Sequence, residues 1–138
     1  MSIALIQATP KNMGAIWPHI EDQFVAVVKG TNGDVSFDVL FQKITHGELQ
    51  LWAITNESRI YGFALTELMI NPGGVKQMAV HACTGTERVV WQDVMVETLE
   101  KFARSEGCKR IVVWARKGWQ RILKDYKFTH VKLEKELE

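Results

Sequence analysis

His81 is the residue whose type and position best suit proton transfer. It lies near the end of the apolar, strand-like run Val75–Ala82. Because imidazole exchanges a proton at about pH 6.5, a histidine can act as a general base near neutral pH. A second interpretation stays open, in which His81 only hydrogen-bonds a neighbour at a strand end. Glu67, in an earlier strand-like run, is the second candidate for proton transfer, with a surface carboxylate as its alternative.

The segment after His81 contains types of residue that bind metals or anions. His81 and Cys83 are two residues apart, hence on one face of a strand, but no second pair has metal-ligand spacing, so we predict no metal site. Gly85 and Arg88 lie where the strand gives way to a helix, and exposed N–H groups at a helix start bind anions.

The same turn supports a purely structural interpretation. Thr84 and Glu87 have the S/T-x-x-E spacing of a capping box, in which the two residues satisfy each other's backbone donors. A carboxylate at that place repels an anion. The sequence therefore leaves two predictions open for one turn, namely helix capping and anion binding.

Composition limits the classes of function. With 138 residues, 46% of them hydrophobic, the chain has enough apolar material for one domain over residues 1–138. Seventeen basic and sixteen acidic residues give a net charge of +1, so we expect neither nucleic-acid binding nor attraction to a membrane. The two cysteines form no CxxC motif, the apolar start is too short for a signal peptide, and no apolar run approaches about 20 residues. We therefore expect a cytoplasmic protein.

The first third of the chain predicts one strand and two helices. Thr9 suits an N-cap and Pro10 the first position of a helix, and Pro18 is expected to kink that helix or split it. The predicted elements are a strand over Ser2–Gln7 and helices over Lys11–Val28 and Ser36–Thr45.

The remainder predicts a meander followed by alternating helices and strands. A hairpin and a tight turn at Asn71–Gly74 connect three strands, and the nearly continuous apolar run Lys109–Ala115 is typical of a buried strand parallel to the one before the long helix. Trp91, Trp114 and Trp119 are expected to pack in the core. The predicted elements are strands over Leu49–Thr55, Ile60–Ile70, Val75–Ala82, Lys109–Ala115 and Phe128–Leu137, and helices over Arg88–Ser105 and Gly118–Lys124. The order is β-α-α-β-β-β-α-β-α-β.

The segment Val80–Phe128 carries a family resemblance. It runs from a strand through a turn and a long helix ending Phe102–Cys108 into the strand Arg110–Trp114, and closes with Trp119–Phe128. This pattern resembles the GNAT superfamily, the acetyl-CoA-dependent N-acyltransferases, and the closing segment is similar to their ending L-Y-x-x-x-G-F. The resemblance implies an α+β fold, with a mostly antiparallel sheet, one parallel strand pair and flanking helices.

Two motifs of that family are altered. The motif Q/R-x-x-G-x-G/A, which holds the coenzyme A pyrophosphate, falls on Glu87, Val90 and Gln92. The tyrosine of the closing motif falls on Leu123, and Tyr126, three residues later, is expected to point elsewhere.

The resemblance implies roles for the candidate residues. Val80, Gly85 and Arg88 would contact acetyl-CoA, and His81 and Glu67 would serve catalysis on a small-molecule or protein amine. It also leaves two functions open: an N-acyltransferase with altered motifs, or a non-catalytic protein that acts through protein contacts. Short members of the second kind resemble bacteriophage proteins that serve as virion or host-directed components. The last strand is predicted to lie alone, which leaves a sheet edge for a protein partner or for a homodimer.

Overall fold

The computed structural model describes residues 2–31, 33–114, 119, 121, 123–127, 129 and 133–137. Over these residues the chain forms β1 (Ala4–Gln7), α1 (Met13–Lys29), α2 (Phe37–Thr45), β2 (Gln50–Thr55), β3 (Ile60–Ile70), β4 (Lys76–Gly85), α3 (Arg88–Ser105) and β5 (Arg110–Val113). The strands lie in the order β1-β2-β3-β4-β5 in one sheet, antiparallel except for the parallel pair β4 and β5. The predicted α+β fold and the parallel pair are therefore confirmed.

The sheet separates two hydrophobic cores. Because side chains alternate along a strand, Trp52 and Ile54 of β2 face α3, whereas Leu51 and Ala53 face α1 and α2. The core on the α3 side contains Trp52, Ile54, Tyr61, Ala64, Met78, Val80, Trp91, Met95, Leu99 and Ala103. The core on the α1 side contains Ile16, Ile20, Phe24, Ile44, Leu49, Leu51, Ala53, Phe63 and Leu65. In both α1 and α3 the buried apolar residues recur at four-residue steps, so they lie on one face of each helix.

The start of α1 differs from the prediction. Thr9 and Asn12 hydrogen-bond each other: the Thr9 N–H donates to Asn12 Oδ1 at 2.6 Å, and Thr9 Oγ1 accepts from the Asn12 N–H at 3.4 Å. This pair closes a turn over residues 9–12, so the helix begins at Met13 and not at Pro10. Pro18 does not split the helix, because the missing N–H removes one hydrogen bond while buried Ile16 and Ile20 hold the segment against the sheet.

The C-terminal predictions are only partly testable. Parts of the helix predicted over Gly118–Lys124 and of the strand predicted over Phe128–Leu137 fall outside the described residues. Residues 133–137 are described and lie in no strand, so the strand prediction is wrong for that part. Trp91 is 1% exposed, as expected of a core residue, whereas Trp114 is 63% exposed and the core prediction for it is wrong. No helix among the described residues is long and apolar enough to cross a bilayer.

A β-bulge in β4 interrupts the sheet next to the cleft. Leu65 of β3 pairs with Ala82, but the next residue, Thr66, pairs with Val80, so His81 is an extra residue without a partner in this register. A bulge of this kind bends its strand and changes the direction of the side chains. Beyond the bulge, Ala82 packs toward the α1-side core and Cys83 toward the α3-side core.

The pairing between β4 and β5 ends at the same point. The parallel register runs from Gln77 opposite Arg110 to Val80 opposite Val113. β4 continues to Gly85, paired with β3, while the described part of β5 goes no further than Val113. The two strands therefore separate beyond Val80 and open a cleft between them.

Gly62 and Gly85 allow β3 and β4 to approach closely at the upper end of this cleft. The two glycines are register partners, and a Cβ added at Gly62 would overlap the backbone of Thr84 and Gly85. A Cβ at Gly85 would lie 2.8 Å from the Tyr61 carbonyl oxygen and 3.2 Å from Trp91 Cζ2. The end of β4 is therefore fixed by contact with β3.

We expect Gly62→Ala to lower the free energy of unfolding by about 2–4 kcal/mol, because the new methyl group meets backbone that cannot rotate away. Urea unfolding followed by tryptophan fluorescence measures the change. Gly14→Ala is the matched control: a Cβ at Gly14 in α1 meets nothing within 4 Å, so this variant should gain about 0.5–1 kcal/mol from helix propensity. Equal stability of Gly62→Ala and the parent would show that the close contact is absent.

Candidate active site

The bulge places the two predicted proton-transfer residues in contact. His81 Nε2 lies 2.8 Å from Glu67 Oε1, and the side chains are 33% and 28% exposed. Glu67 lies two residues after Leu65 on β3, hence on the face that carries α1. A carboxylate bonded to one imidazole nitrogen fixes the orientation of the ring. The geometry fits a histidine base with an orienting carboxylate, and the catalytic role itself stays a prediction.

A cavity of about 310 Å³ lies where β4 and β5 separate. Val80 and His81 line it, and α3 and β5 supply five of its apolar lining residues, namely Met95, Val96, Leu99, Ile111 and Val113. The sequence did not single these five out as site residues. Their only sequence signal was membership of an apolar stripe or strand, which is also the signal of an ordinary core residue. Thr84, which was predicted to cap the helix, lines the cavity as well.

A second cavity of about 320 Å³ lies at the first turn of α3. Gly85 and Arg88, both predicted to contact a cofactor, line it together with Val89 and Trp91. The two cavities share Cys83, Thr84 and Trp119 as lining residues, so they adjoin. Four of the five predicted site residues therefore line one continuous depression, and the fifth, Glu67, contacts it through His81.

The predicted capping box is wrong. Thr84 lies within β4, and Glu87 is itself the N-cap of α3, with φ 54° and ψ 47° and no side-chain hydrogen bond to the helix. The cause is the pairing of β4 with β3 as far as Gly85, which holds Thr84 in extended conformation. The helix consequently starts later than a box beginning at Thr84 requires.

Arg59 holds this turn from the neighbouring hairpin. Its Nη1 lies 2.6 Å from Glu87 Oε2, and its Nη2 donates to Thr86 Oγ1 at 3.1 Å. The Thr86 N–H donates to the Tyr61 carbonyl at 3.0 Å, and the Trp91 indole N–H donates to the Thr86 carbonyl at 2.7 Å. These side-chain contacts hold Glu87 in the left-handed conformation, which costs a non-glycine residue about 1–2 kcal/mol.

The first turn of α3 has a weaker anion site than glycines would give. Val90 and Gln92 occupy the two glycine positions of the motif, and Val90 is exposed, so side chains stand where glycines would leave the backbone open. Gly85 packs against β3, as described above, and its role is explained by that contact. What remains for an anion is the positive end of the helix dipole and the Arg88 guanidinium, which lies 5.4 Å from the Trp119 ring centroid.

Cys83 lies in the wall of both cavities as an unreactive thiol. Burial raises its pKa to about 12, and the charge of Arg88 opposes this only in part. Its Sγ lies 2.9 Å from Met95 Sδ. Because the thiolate is the nucleophilic form, a cysteine that stays protonated at neutral pH is a poor nucleophile.

Tyr126 lies in the cavity wall, contrary to the expectation that it would point elsewhere. Its N–H donates to the Leu123 carbonyl at 3.1 Å, and in such an i to i+3 turn residues three apart point the same way. Leu123 and Tyr126 accordingly both line the first cavity. The Tyr126 hydroxyl donates to Glu100 Oε2 at 2.7 Å, and burial together with this carboxylate raises its pKa well above the usual range.

His81 and Cys83 are two residues apart, and in the described part of the chain no group of three or more His, Cys, Asp or Glu side chains is arranged to hold a metal ion. The chemistry available in the depression is therefore that of His81, Glu67, Tyr126 and the first turn of α3.

Solved structures with this fold are acetyltransferases and related proteins. A GNAT family acetyltransferase from Staphylococcus aureus has a TM-score of 0.70 at 16% identity, over 99% of this chain and 100% of its own. An aminoglycoside acetyltransferase from an uncultured soil metagenomic sample, solved with sisomicin, has a TM-score of 0.69 at 13% identity, over 99% and 97%. A transcriptional regulator from Bacillus halodurans has a TM-score of 0.67 at 14% identity, over 99% and 100%.

These likenesses extend over nearly the whole chain and show that the protein has the fold of the GNAT acetyltransferases. No protein-family model matches the sequence, and no curated protein sequence matches it. At 13–16% identity the likeness concerns the fold alone, so function has to be argued from the depression between β4, β5 and α3.

The left-handed conformation of Glu87 leads to a prediction that separates backbone from charge. Glu87→Gly and Glu87→Ala both lose the pair with Arg59, but only glycine adopts this conformation freely, so we expect the glycine variant to be more stable by about 1 kcal/mol. Urea unfolding of both proteins gives the difference.

Glu97, exposed in the middle of α3, is the matched control. There the order should reverse, with alanine about 1 kcal/mol more stable than glycine. If the alanine variant had the higher free energy of unfolding at both positions, the described conformation of Glu87 would be contradicted.

Proposed function

We propose that the protein is an N-acyltransferase that transfers an acyl group from a coenzyme A thioester to an amine. The observation that carries this proposal is the His81–Glu67 pair, which borders a cavity at the point where β4 and β5 separate. In the proposed reaction His81 accepts the proton of the attacking amine, directly or through water, and Glu67 stabilises the charged imidazole.

Tyr126 contributes its ring to the wall of the cavity that His81 also lines. Its one hydroxyl proton is donated to Glu100, and its raised pKa keeps it protonated throughout the neutral range. In this proposal Tyr126 therefore does not take the role of the tyrosine that the family carries at the position of Leu123. The departing thiolate instead takes up the proton that His81 accepted from the amine.

The depression fits one part of coenzyme A better than the other. The first cavity, whose wall offers both polar and apolar atoms, and the edge of β4 beyond Val80 suit a pantetheine arm, with the thioester supplying an activated acyl group. For the diphosphate, Arg88 and the start of α3 are the available groups, and Glu87, which is held at that start by Arg59, opposes an anion. Val80, His81, Thr84 and Arg88 are the residues that we propose hold the donor.

The acceptor that we propose is a small-molecule amine. The structural neighbour solved with sisomicin is described as an aminoglycoside acetyltransferase, which is an enzyme with an amine acceptor. In this chain the carboxylate of Glu67, beside His81, offers the local negative charge that attracts an ammonium group.

Binding of coenzyme A is the first test. Calorimetry should detect acetyl-CoA and CoA at micromolar to millimolar concentration, and Arg88→Ala should weaken the complex about threefold to tenfold, with a smaller dependence on salt. Lys101→Ala removes the same charge from the exposed face of α3 away from its first turn and should leave the affinity unchanged. Absence of binding at millimolar ligand would exclude the proposed function.

Activity provides the second test. We expect His81→Gln to lower kcat/KM for acetyl transfer by about 10²–10⁴, because the base is lost, and Glu67→Gln to lower it less while altering the pH profile. Initial rates of CoA release with an amine acceptor measure both variants. His46→Gln, at the exposed end of α2, should retain parental rates. An active His81→Gln enzyme with the parental pH profile would refute the assignment of His81 as base.

A non-catalytic role is the competing proposal. Val89 and Trp114, which line the two cavities, are exposed apolar residues beside a turn without the family's glycines, and such surfaces bind other proteins. A protein partner, a homodimer through a sheet edge, or a bacteriophage virion or host-directed role belongs to this proposal. Co-purification of a partner together with absence of CoA binding would favour it over the acyltransferase.

A further inference from the structure

We propose that the side-chain carbonyl oxygen of Gln92 binds the arm of the coenzyme A donor next to its diphosphate. This inference rests on the proposed function and adds a residue to the same site. The part of the arm beside the diphosphate carries a hydroxyl and an amide N–H, and both groups donate hydrogen bonds. The carboxamide oxygen of a glutamine is an acceptor. Gln92 therefore recognises the arm by a neutral hydrogen bond, whereas Arg88 attracts the diphosphate by its charge.

The side chain of Gln92 has an oxygen atom that the fold leaves unpaired. Its Oε1 is buried and has no hydrogen-bond partner among the residues that the structure describes. A buried acceptor of this kind lowers the stability of a protein, because it has lost its hydrogen bonds to water and gained none in return. Native structures retain few such atoms, so the place of this one relative to the two cavities is informative.

The neighbours of Gln92 on the surface of α3 line the two cavities. Residues three and four positions apart lie side by side on a helix. Arg88 and Val89, which precede Gln92 by four and three residues, line the second cavity. Met95 and Val96, which follow it by three and four residues, line the first. Gln92 therefore lies on the strip of α3 between the two cavities.

A donor that occupies both cavities has to pass this strip. In the proposed function the diphosphate lies at Arg88 and the arm extends into the first cavity. From Arg88 to Val96 the helix axis rises by about 12 Å, and Gln92 lies midway. The part of the arm next to the diphosphate then runs past the Gln92 side chain. Because this side chain rotates about several single bonds, Oε1 can turn toward the arm without a movement of α3.

The weakness of the neighbouring anion site gives this hydrogen bond a role. The start of α3 carries the carboxylate of Glu87, which is paired with Arg59, and the exposed side chain of Val90. Both features oppose the close approach of a phosphate to the helix. A neutral hydrogen bond from the arm to Gln92, one turn further along α3, adds affinity that does not depend on charge.

Calorimetry with CoA tests the assignment on Gln92→Met, a variant that keeps the length of the side chain and removes its oxygen. We expect CoA to bind about threefold to tenfold more weakly, because one hydrogen bond to the arm is lost. The salt dependence of the affinity should stay that of the parent, since no charge is removed. Gln42→Met, the same substitution at an exposed position of α2, is the matched control and should bind CoA as the parent does.

Urea unfolding without ligand separates a binding role of Gln92 from a structural one. The midpoint of Gln92→Met should equal that of the parent or exceed it, because a buried acceptor without a partner is removed. Weaker CoA binding by a variant of at least parental stability supports the proposal. Unchanged affinity would overturn it and leave the proposed function in place, and so would weaker binding with a lower midpoint, since the oxygen would then serve the fold. Failure of the parent protein to bind CoA would overturn both.

Discussion

One extra residue in β4 determines the geometry of the whole cleft. With His81 unpaired in the register, the alternation of side chains shifts, so that Ala82 and Cys83 exchange the faces they would otherwise occupy. The strand bends at the point where its hydrogen bonding to β5 ends. The contact between His81 and Glu67 and the opening beside β5 both lie at this bulge.

In the turn before α3, the ion pair that holds the turn also weakens the site for an anion at the start of the helix. Arg59 and the carboxylate of Glu87 hold the turn by an ion pair, an arrangement that stabilises an exposed site by only about 0–1 kcal/mol. The same carboxylate occupies the positive end of the helix, where a ligand's phosphate would otherwise gain from the helix dipole. In the proposed function, affinity for the donor therefore comes mainly from contacts along its arm in the first cavity.

The sequence alone was sufficient to predict those helices and strands whose apolar residues recur with a regular period. Trp91, Met95 and Leu99 recur at four-residue steps, and burial of that stripe fixes α3 as predicted. His81 and Glu67 were both named as candidates from their positions in strands, but the bulge beside their contact was not predicted, because no local pattern marks an extra residue in a strand. One failure depends on a long-range contact, since the pairing of Gly62 with Gly85 takes Thr84 into β4. The other depends on a local turn at Leu123, which brings Tyr126 to the cavity.

The division of the apolar residues between two faces of the sheet has a consequence for sequence change. Ile20 and Phe24 lie in a different core from Met95 and Leu99, so the two groups share no packing neighbours within their own layers. Free-energy effects of substitutions in separate, non-contacting layers are usually additive. The interior of the layer beneath α1 can therefore be repacked largely without changing the packing beneath α3. The exceptions are Val27 and Ala82, which pack on the α1 side and also line the first cavity, so substitutions there affect both the layer and the cavity.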